Sequence, residues 1–226
     1  MSNLSEQPEH TIAALCQRSH DISKEKGWLD NPRPFSAIAS LIHSEISEAL
    51  EEFRNNKGLN EVYYEVKLRN GSGPSPFSKR ALALHIEGNS DNCDSVKEAK
   101  PAGIPVELAD VIIRVCQWIG TNGFTALFAR LLVEQETETK WFERYLKEFE
   151  GFSAMAHART SKAYLAWDGC FPEPEHSDSL AIKPLVDLTH LVFAFCRVHE
   201  IDLWAAIDEK EAFNRTRPTR HGGKRI

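Results

Sequence analysis

Four carboxylates in two short patterns carry the strongest chemical signal in this chain. Glu45 and Glu48 stand in Leu41-Ile42-His43-Ser44-Glu45-Ile46-Ser47-Glu48-Ala49-Leu50-Glu51, and Glu107 and Asp110 in Gly103-Ile104-Pro105-Val106-Glu107-Leu108-Ala109-Asp110-Val111-Ile112-Ile113. In each pattern the acids are one helical turn apart. At about 100° per residue, Ile38, Ile42, Ala49 and Phe53 define an apolar stripe; Glu45 falls on its edge, Glu48 and Glu52 lie beside it, and Glu51 points away. Exposed helix faces often carry such a pair, so E-x-x-E alone says little. The second pattern adds weight because its helix is almost wholly apolar, and Glu107, angularly close to Val111 and Trp118, looks into the bundle. A carboxylate resists such burial unless it is paired or metal-bound. Arg114, at i+4 from Asp110, offers an ordinary ion pair. Four oxygen donors on two facing helices are the alternative, a ligand set that magnesium takes while keeping waters and substrate phosphates.

A third group lies near the C-terminus, where Lys210, Asn214 and Arg217 follow at i, i+4 and i+7 on the stripe of Leu203 and Ile207. Arg217 precedes Pro218 and should be leaving its helix, free to turn toward a ligand. Residues 215 to 226 hold five lysines and arginines and no acid, ending Arg220-His221-Gly222-Gly223-Lys224-Arg225. An anionic partner is the simplest account of them. A frayed solvated tail and a basic arm on nucleic acid are the others.

The elements that must position these groups are helices. Periodicity places them near 9–26, 34–54, 105–121, 124–150, 152–167, 181–199 and 202–216. Strand signal is confined to Val62 to Leu68 before Asn70-Gly71, where a small hairpin could open with Ala81 to Ile86 as its partner. Residues 55 to 104 otherwise read as one long irregular connection. The chain also echoes itself. Phe35-Ser36-Ala37-Ile38-Ala39 returns 117 residues later as Phe152-Ser153-Ala154-Met155-Ala156, and Glu107-Leu108-Ala109-Asp110 returns 77 residues later as Pro184-Leu185-Val186-Asp187.

Composition excludes several classes. With 42% apolar and 27% charged residues the chain is neither fibrous nor a disulfide scaffold, and a net charge of −6 disfavours a general nucleic-acid coat. Five cysteines, none in C-x-x-C, read as reduced packing residues of a cytoplasmic protein. No apolar stretch is long enough to span a bilayer, so a membrane partner is not expected. Glycine-rich phosphate loops and zinc patterns are absent. His43, His190 and His199 read as packing residues, and the five tryptophans as core, with Trp28 or Trp167 as candidates to stack on a base.

Gly27-Trp28, the segment Leu41 to Glu51, the segment Gly103 to Arg114, and Lys210 through Asn214, Arg217 and Pro218 to His221-Gly222-Gly223-Lys224 together resemble the MazG-type all-alpha NTP pyrophosphohydrolases, especially bacterial and phage-like members. The resemblance covers about two thirds of the chain. It implies an all-α, four-helix-bundle-like fold, with a small hairpin in the insertion. It also implies a magnesium site at Glu45, Glu48, Glu107 and Asp110, with Mn²⁺ as a substitute, and phosphate binding by Lys210, Asn214, Arg217 and Lys224. The expected reaction cleaves a nucleoside triphosphate between its α and β phosphates, giving a monophosphate and pyrophosphate. Glu45 or Glu48 would take the proton from the attacking water, and Trp28 would face the base. A deoxynucleotide is favoured, with a purine such as dGTP or dATP as working substrate.

The spacing departs from the family. Similar proteins run from E-x-x-D almost directly into the Lys and Asn helix, whereas here 100 residues separate Asp110 from Lys210. The second unit keeps the basic segment and lacks the acids, with Lys162, Leu165 and Pro184 at the places of Glu45, Glu48 and Glu107. Residues 1–137, with the insertion at 55–104, therefore read as a helical unit carrying the carboxylates, and 138–226 as a degenerate second unit. The expected assembly is a tandem-duplicated, monomeric pseudo-dimer with one composite site, or a homodimer. The rival reading is a non-enzymatic helical regulator or nucleic-acid-binding protein that kept the scaffold.

Overall fold

The computed structural model describes residues 8–31, 33–71, 75–89, 95–135, 143–168 and 177–219. Lys224 and the rest of the basic tail lie outside the described residues, as do Cys93 and Cys170. Helix α1 (Ile12–Glu25) begins where the Thr11 side chain accepts the Ala14 amide at 3.1 Å, which satisfies one of the free N–H groups of its first turn. Helix α2 (Phe35–Arg54) follows Pro34 and carries Glu45 and Glu48 near its middle. Helix α4 (Ile104–Thr121), which bears Glu107 and Asp110, is buried along nearly its whole length and packs on α1 and α2.

Between α2 and α4 stand β1 (Tyr63–Leu68), β2 (Ser75–Ser78), α3 (Lys79–Asn89) and β3 (Val96–Ala102). The strands form an antiparallel sheet in the order β2-β1-β3. The described residues of this connection are thus largely strand and helix rather than irregular, and the partners of β1 are β2 and β3, not Ala81 to Ile86. That stretch lies in α3, where helical spacing buries Leu82 and leaves Leu84 60% and Ile86 48% exposed. Its leucines alternate with other residues, which imitates a strand, but three such side chains on one sheet face would need a core that the insertion does not have. The insertion's own small core is Tyr64, Val66 and Leu82.

The remainder is α5 (Thr125–Glu134), α6 (Phe149–Trp167), α7 (Ser177–Val198) and α8 (Leu203–Thr216). The single helix expected over 124–150 is therefore two elements. Glu134 to Lys140 has no apolar residue to bury, and α5 ends where that run begins. In α7, Pro184 lies inside the helix rather than in its first turn, at the cost of one i to i−4 bond. The echoed segments consequently enter their helices at different points. Phe35 opens α2 and Glu107 is in the first turn of α4, whereas α6 and α7 each begin about one turn earlier relative to the echo.

One apolar core joins both halves of the chain, running from α1, α2 and α4 into α6, α7 and α8. Its seam is aromatic: Phe53 stacks on Phe149 at 4.8 Å between ring centres, and Phe152 on Phe195 at 4.1 Å. The buried rings of Phe149, Phe152 and Phe195 contribute about 2–3 kcal/mol each, with Phe53 half-buried against them, so α2, α6 and α7 are held as a block. Helix α8 closes the other side by packing on α4, started by Asp202, which accepts the Ala205 amide at 3.0 Å.

Two glycines fix the approach of neighbours to α4. At Gly120 an added Cβ would lie 2.5 Å from the Cys16 carbonyl oxygen, so α1 and α4 touch backbone to backbone there. Gly103, at φ 111°, adopts a conformation that L side chains avoid, and its Cβ would fall 2.2 Å from the Glu61 oxygen. The start of β1 is thereby pressed against the N-terminus of the helix that carries Glu107 and Asp110. Predominantly helical architecture, with one small sheet among the described residues, is the fold. No described helix is long and apolar enough to cross a membrane.

Candidate metal centre

The apolar stripes of α2 and α4 face each other, and the acids at their edges meet. One carboxylate oxygen from each of Glu45, Glu48 and Glu107 lies within 4.8 Å of the other two. Glu45 and Glu107 are buried, at 6% and 3% exposure, while Glu48 reaches solvent and accepts a 3.0 Å hydrogen bond from Ser44. Glu51 points away, as its angle required, and pairs with Arg54 at 3.0 Å. Asp110 is buried one turn after Glu107 but stands apart from the triad, because a different partner holds it.

That partner is Lys210. Helix α8 packs along α4 and places the Lys210 ammonium 2.5 Å from Asp110 Oδ2, with both side chains almost wholly buried. Arg114 does not pair with Asp110, its i+4 neighbour; its guanidinium lies 3.2 Å from Glu45 Oε1 instead. Glu45, within the triad, and Asp110, beside it, thus each face a cation from another helix. Among the described residues, no cation lies within hydrogen-bonding distance of Glu107, and its buried Oε2 makes no hydrogen bond.

Burial sets the protonation of this cluster. Glu45 is pushed up to about 7, first by loss of water and then by the Asp110 charge, with Arg114 opposing. Glu107 is pushed up to about 8, chiefly by burial, with Lys210 opposing. For Lys210, burial works against the charged form, but Asp110 and Glu107 outweigh it and hold the ammonium above its ordinary value. Acids that resist ionisation, close together and short of donors, suit a divalent cation, which supplies the missing charge. The donor set, all oxygen with one solvent-facing member, fits magnesium or manganese better than zinc. The orphan Glu107 oxygen is the observation that favours such an ion over a purely structural network.

Beside the acids, α1, α4 and α8 enclose a cavity of about 20 Å³, bordered by Trp28, Asp110, Arg114, Lys210, Asn214 and Arg217. It is room for about one water. Asn214 is 6% exposed and lies one turn beyond Lys210. Arg217 leaves the helix in extended conformation, and its guanidinium sits 5.8 Å from the centre of the Trp28 ring. Trp28 and Trp118 are core residues by burial, yet Trp28 also borders this cavity.

Two contributors escaped the sequence reading. Arg33 has a buried Nη1 with no hydrogen-bond partner, and both Arg33 and Arg217 are depressed by burial and by the charge of Arg114. Arg33 and Arg217 therefore both lie near enough to Arg114 to feel its charge. Arg33 carries no motif; only its place just before the helix of Glu45 could have drawn notice. Gln117, on α4 and 5% exposed, also borders the cavity, and its position two turns after Asp110 was the available signal. Elsewhere, His43 and His157 approach to 2.8 Å between Nδ1 atoms across α2 and α6, and His199 Nε2 lies 2.8 Å from the Leu146 carbonyl, both packing roles. No family model, curated protein or solved structure matches the chain.

Proposed function

We propose that this protein is a magnesium-dependent nucleoside triphosphate pyrophosphohydrolase of MazG type, built as two helical units in one chain with a single composite site. The observation that carries the reading is the meeting of the Glu45, Glu48 and Glu107 oxygens within 4.8 Å beside an Asp110 held by Lys210 from α8. Glu45, Glu48 and Glu107 would hold the ion, with Asp110 joining once Lys210 turns away. Bound there, Mg²⁺ would supply charge to offset that of the phosphates and would make the attacking water more acidic. The chain supplies the rest. Lys210, Arg217 and Arg114 are the cations that can exchange their present partners for phosphate oxygens, the arginines through paired donors. Glu45 and Glu48 are the carboxylates placed to accept the water's proton, and Asn214 is a neutral donor to a phosphate or sugar oxygen. Trp28 offers a face for the base.

Asp110 and Glu45 are paired with Lys210 and Arg114, and in substrate binding these cations would turn to the phosphates while the acids would hold the metal. That keeps the buried charge compensated in both states. A panel of nucleoside and deoxynucleoside triphosphates with Mg²⁺, dGTP and dATP included, tests the reading. Pyrophosphate and monophosphate should form in equal amounts, and Glu48→Gln should abolish this with far-UV helicity intact. Orthophosphate plus diphosphate, or full activity in excess chelator, would overturn it.

A further inference from the structure

The sheet between α2 and α4 has two unlike faces. Strand alternation and the pairing of Glu65 with Lys100 and Lys67 with Glu98 put Tyr63, Glu65, Lys67, Glu98 and Lys100 on one face. The opposite face carries Tyr64, Val66 and Ala99 and packs against Leu82 of α3. The polar face is turned toward the carboxylates. Its Tyr63 hydroxyl donates to Glu52 Oε1 at 2.8 Å, and Glu52 lies one turn beyond Glu48 on α2. Lys100 is close enough to Glu107 for its charge to favour the ionised carboxylate, and Glu98 acts likewise on the Arg217 guanidinium. Strand β3 touches both α4, which carries Glu107, and α8, whose C-terminus Arg217 follows.

The sheet is fixed to the helices that build the site. The Gly103 backbone is pressed on Glu61, and the Tyr64 hydroxyl and Lys79 both bond Glu209, the residue before Lys210 on α8, with Lys79 at 3.1 Å. Lys100 itself is only loosely engaged. Its nearest acid, Glu65, is 4.0 Å away, and its side chain is 35% exposed. An ammonium so loosely paired beside a cation site repels the cation unless an anion lies between them. Its position makes sense when a phosphate chain fills that gap. Lys100 is on the strand that touches α8, and Arg217 follows the end of that helix, so the two are the cations offered to a short phosphate chain from the sheet and from α8.

We propose that the inserted sheet is the outer wall of this site and that Lys100 binds the terminal phosphate of a triphosphate. The proposal deepens the pyrophosphohydrolase reading and rests on it for the identity of the chain. The insertion thereby distinguishes chain length: a triphosphate reaches Lys100, whereas a pyrophosphate held at the carboxylates and Lys210 does not.

Calorimetry with inorganic tripolyphosphate and with pyrophosphate, each with excess Mg²⁺, tests this on the full chain. Lys100→Met should weaken tripolyphosphate about 10-fold or more and pyrophosphate less than twofold, while Lys100→Arg keeps most of the affinity. Mg²⁺ binding without phosphate should be unchanged or tighter in Lys100→Met, since a cation has been removed. Equal weakening of both anions, or no weakening of tripolyphosphate, would overturn the proposal, and so would a wild-type chain that binds neither. Nucleotide turnover is scored separately. Turnover that survives a null result for Lys100 leaves the pyrophosphohydrolase reading standing without the sheet's role, whereas length-selective tripolyphosphate binding without turnover supports Lys100 and removes the enzymatic reading.

Discussion

The Lys210 ammonium lies 2.5 Å from the Asp110 carboxylate although 100 residues separate them in the chain. Both groups are buried, and Glu107 and Glu45 also feel the lysine charge. Lys210 is therefore the counter-ion of Asp110 and lends its charge to Glu107 and to Glu45, which it shares with Arg114. Removing one member of a buried pair leaves an uncompensated charge.

Lys210→Met should destabilise the metal-free chain by about 3–5 kcal/mol, and saturating Mg²⁺ should recover most of that loss. Urea denaturation with and without Mg²⁺ measures both. The same variant should still bind Mg²⁺ in the absence of nucleotide, because the acids remain. A loss of stability that Mg²⁺ does not relieve would mean that Lys210 packs the core and does not balance the site.

Protonation gives a second expectation. Glu45 and Glu107, pushed up to about 7 and about 8, have ordinary unfolded values near about 4.3. Between about pH 4.5 and 8 the folded metal-free chain binds more protons than the unfolded chain, so its stability falls as pH rises through that window. Mg²⁺ takes the ionised carboxylates, so its affinity should rise from pH 6 to 8, with protons released on binding. Calorimetry in buffers of different ionisation enthalpy counts those protons. Affinity that is flat across this range, with no proton release, contradicts the placement of the ion.

Arg114 holds the opposing influence on Glu45, at 3.2 Å. Replacing it by methionine should move the Glu45 titration upward by about one unit and carry the pH profile of Mg²⁺ affinity with it. An unchanged profile would show that Arg114 does not govern this carboxylate.

Gly103→Ala tests the seat of the sheet. The backbone there is at φ 111°, and the added methyl would meet the Glu61 oxygen at 2.2 Å. A loss of more than about 3 kcal/mol is expected in urea denaturation, together with weaker Mg²⁺ binding because Glu107 is four residues on. A loss under about 1 kcal/mol would mean that the junction relaxes freely.

Much of the carboxylate geometry was legible in the chain because an apolar helix leaves few directions for a polar side chain. Glu107 had to face inward, and Glu51 had to face away, from periodicity alone. The pairing of charges was not legible. Arg114 at i+4 from Asp110 is the local choice, but Lys210 arrives from α8 and takes Asp110, which turns Arg114 toward Glu45 on α2. Local spacing gives candidate partners; packing between distant helices selects among them. Likewise α3 was hidden because Ala81 to Ile86 satisfies period 2 as well as a short helix, and the choice depends on which face finds a core. Arg33 had no pattern to mark it, since a single cation in a loop acquires meaning only from what folds against it.

Anomalous diffraction from crystals soaked with Mn²⁺ and a non-hydrolysable triphosphate tests the exchange of partners at this site most directly. Manganese is expected within about 2.3 Å of oxygens from Glu45, Glu48 and Glu107, with Lys210 drawn off Asp110 onto phosphate. Manganese elsewhere, or Lys210 still paired with Asp110 while the triphosphate is bound, would contradict it.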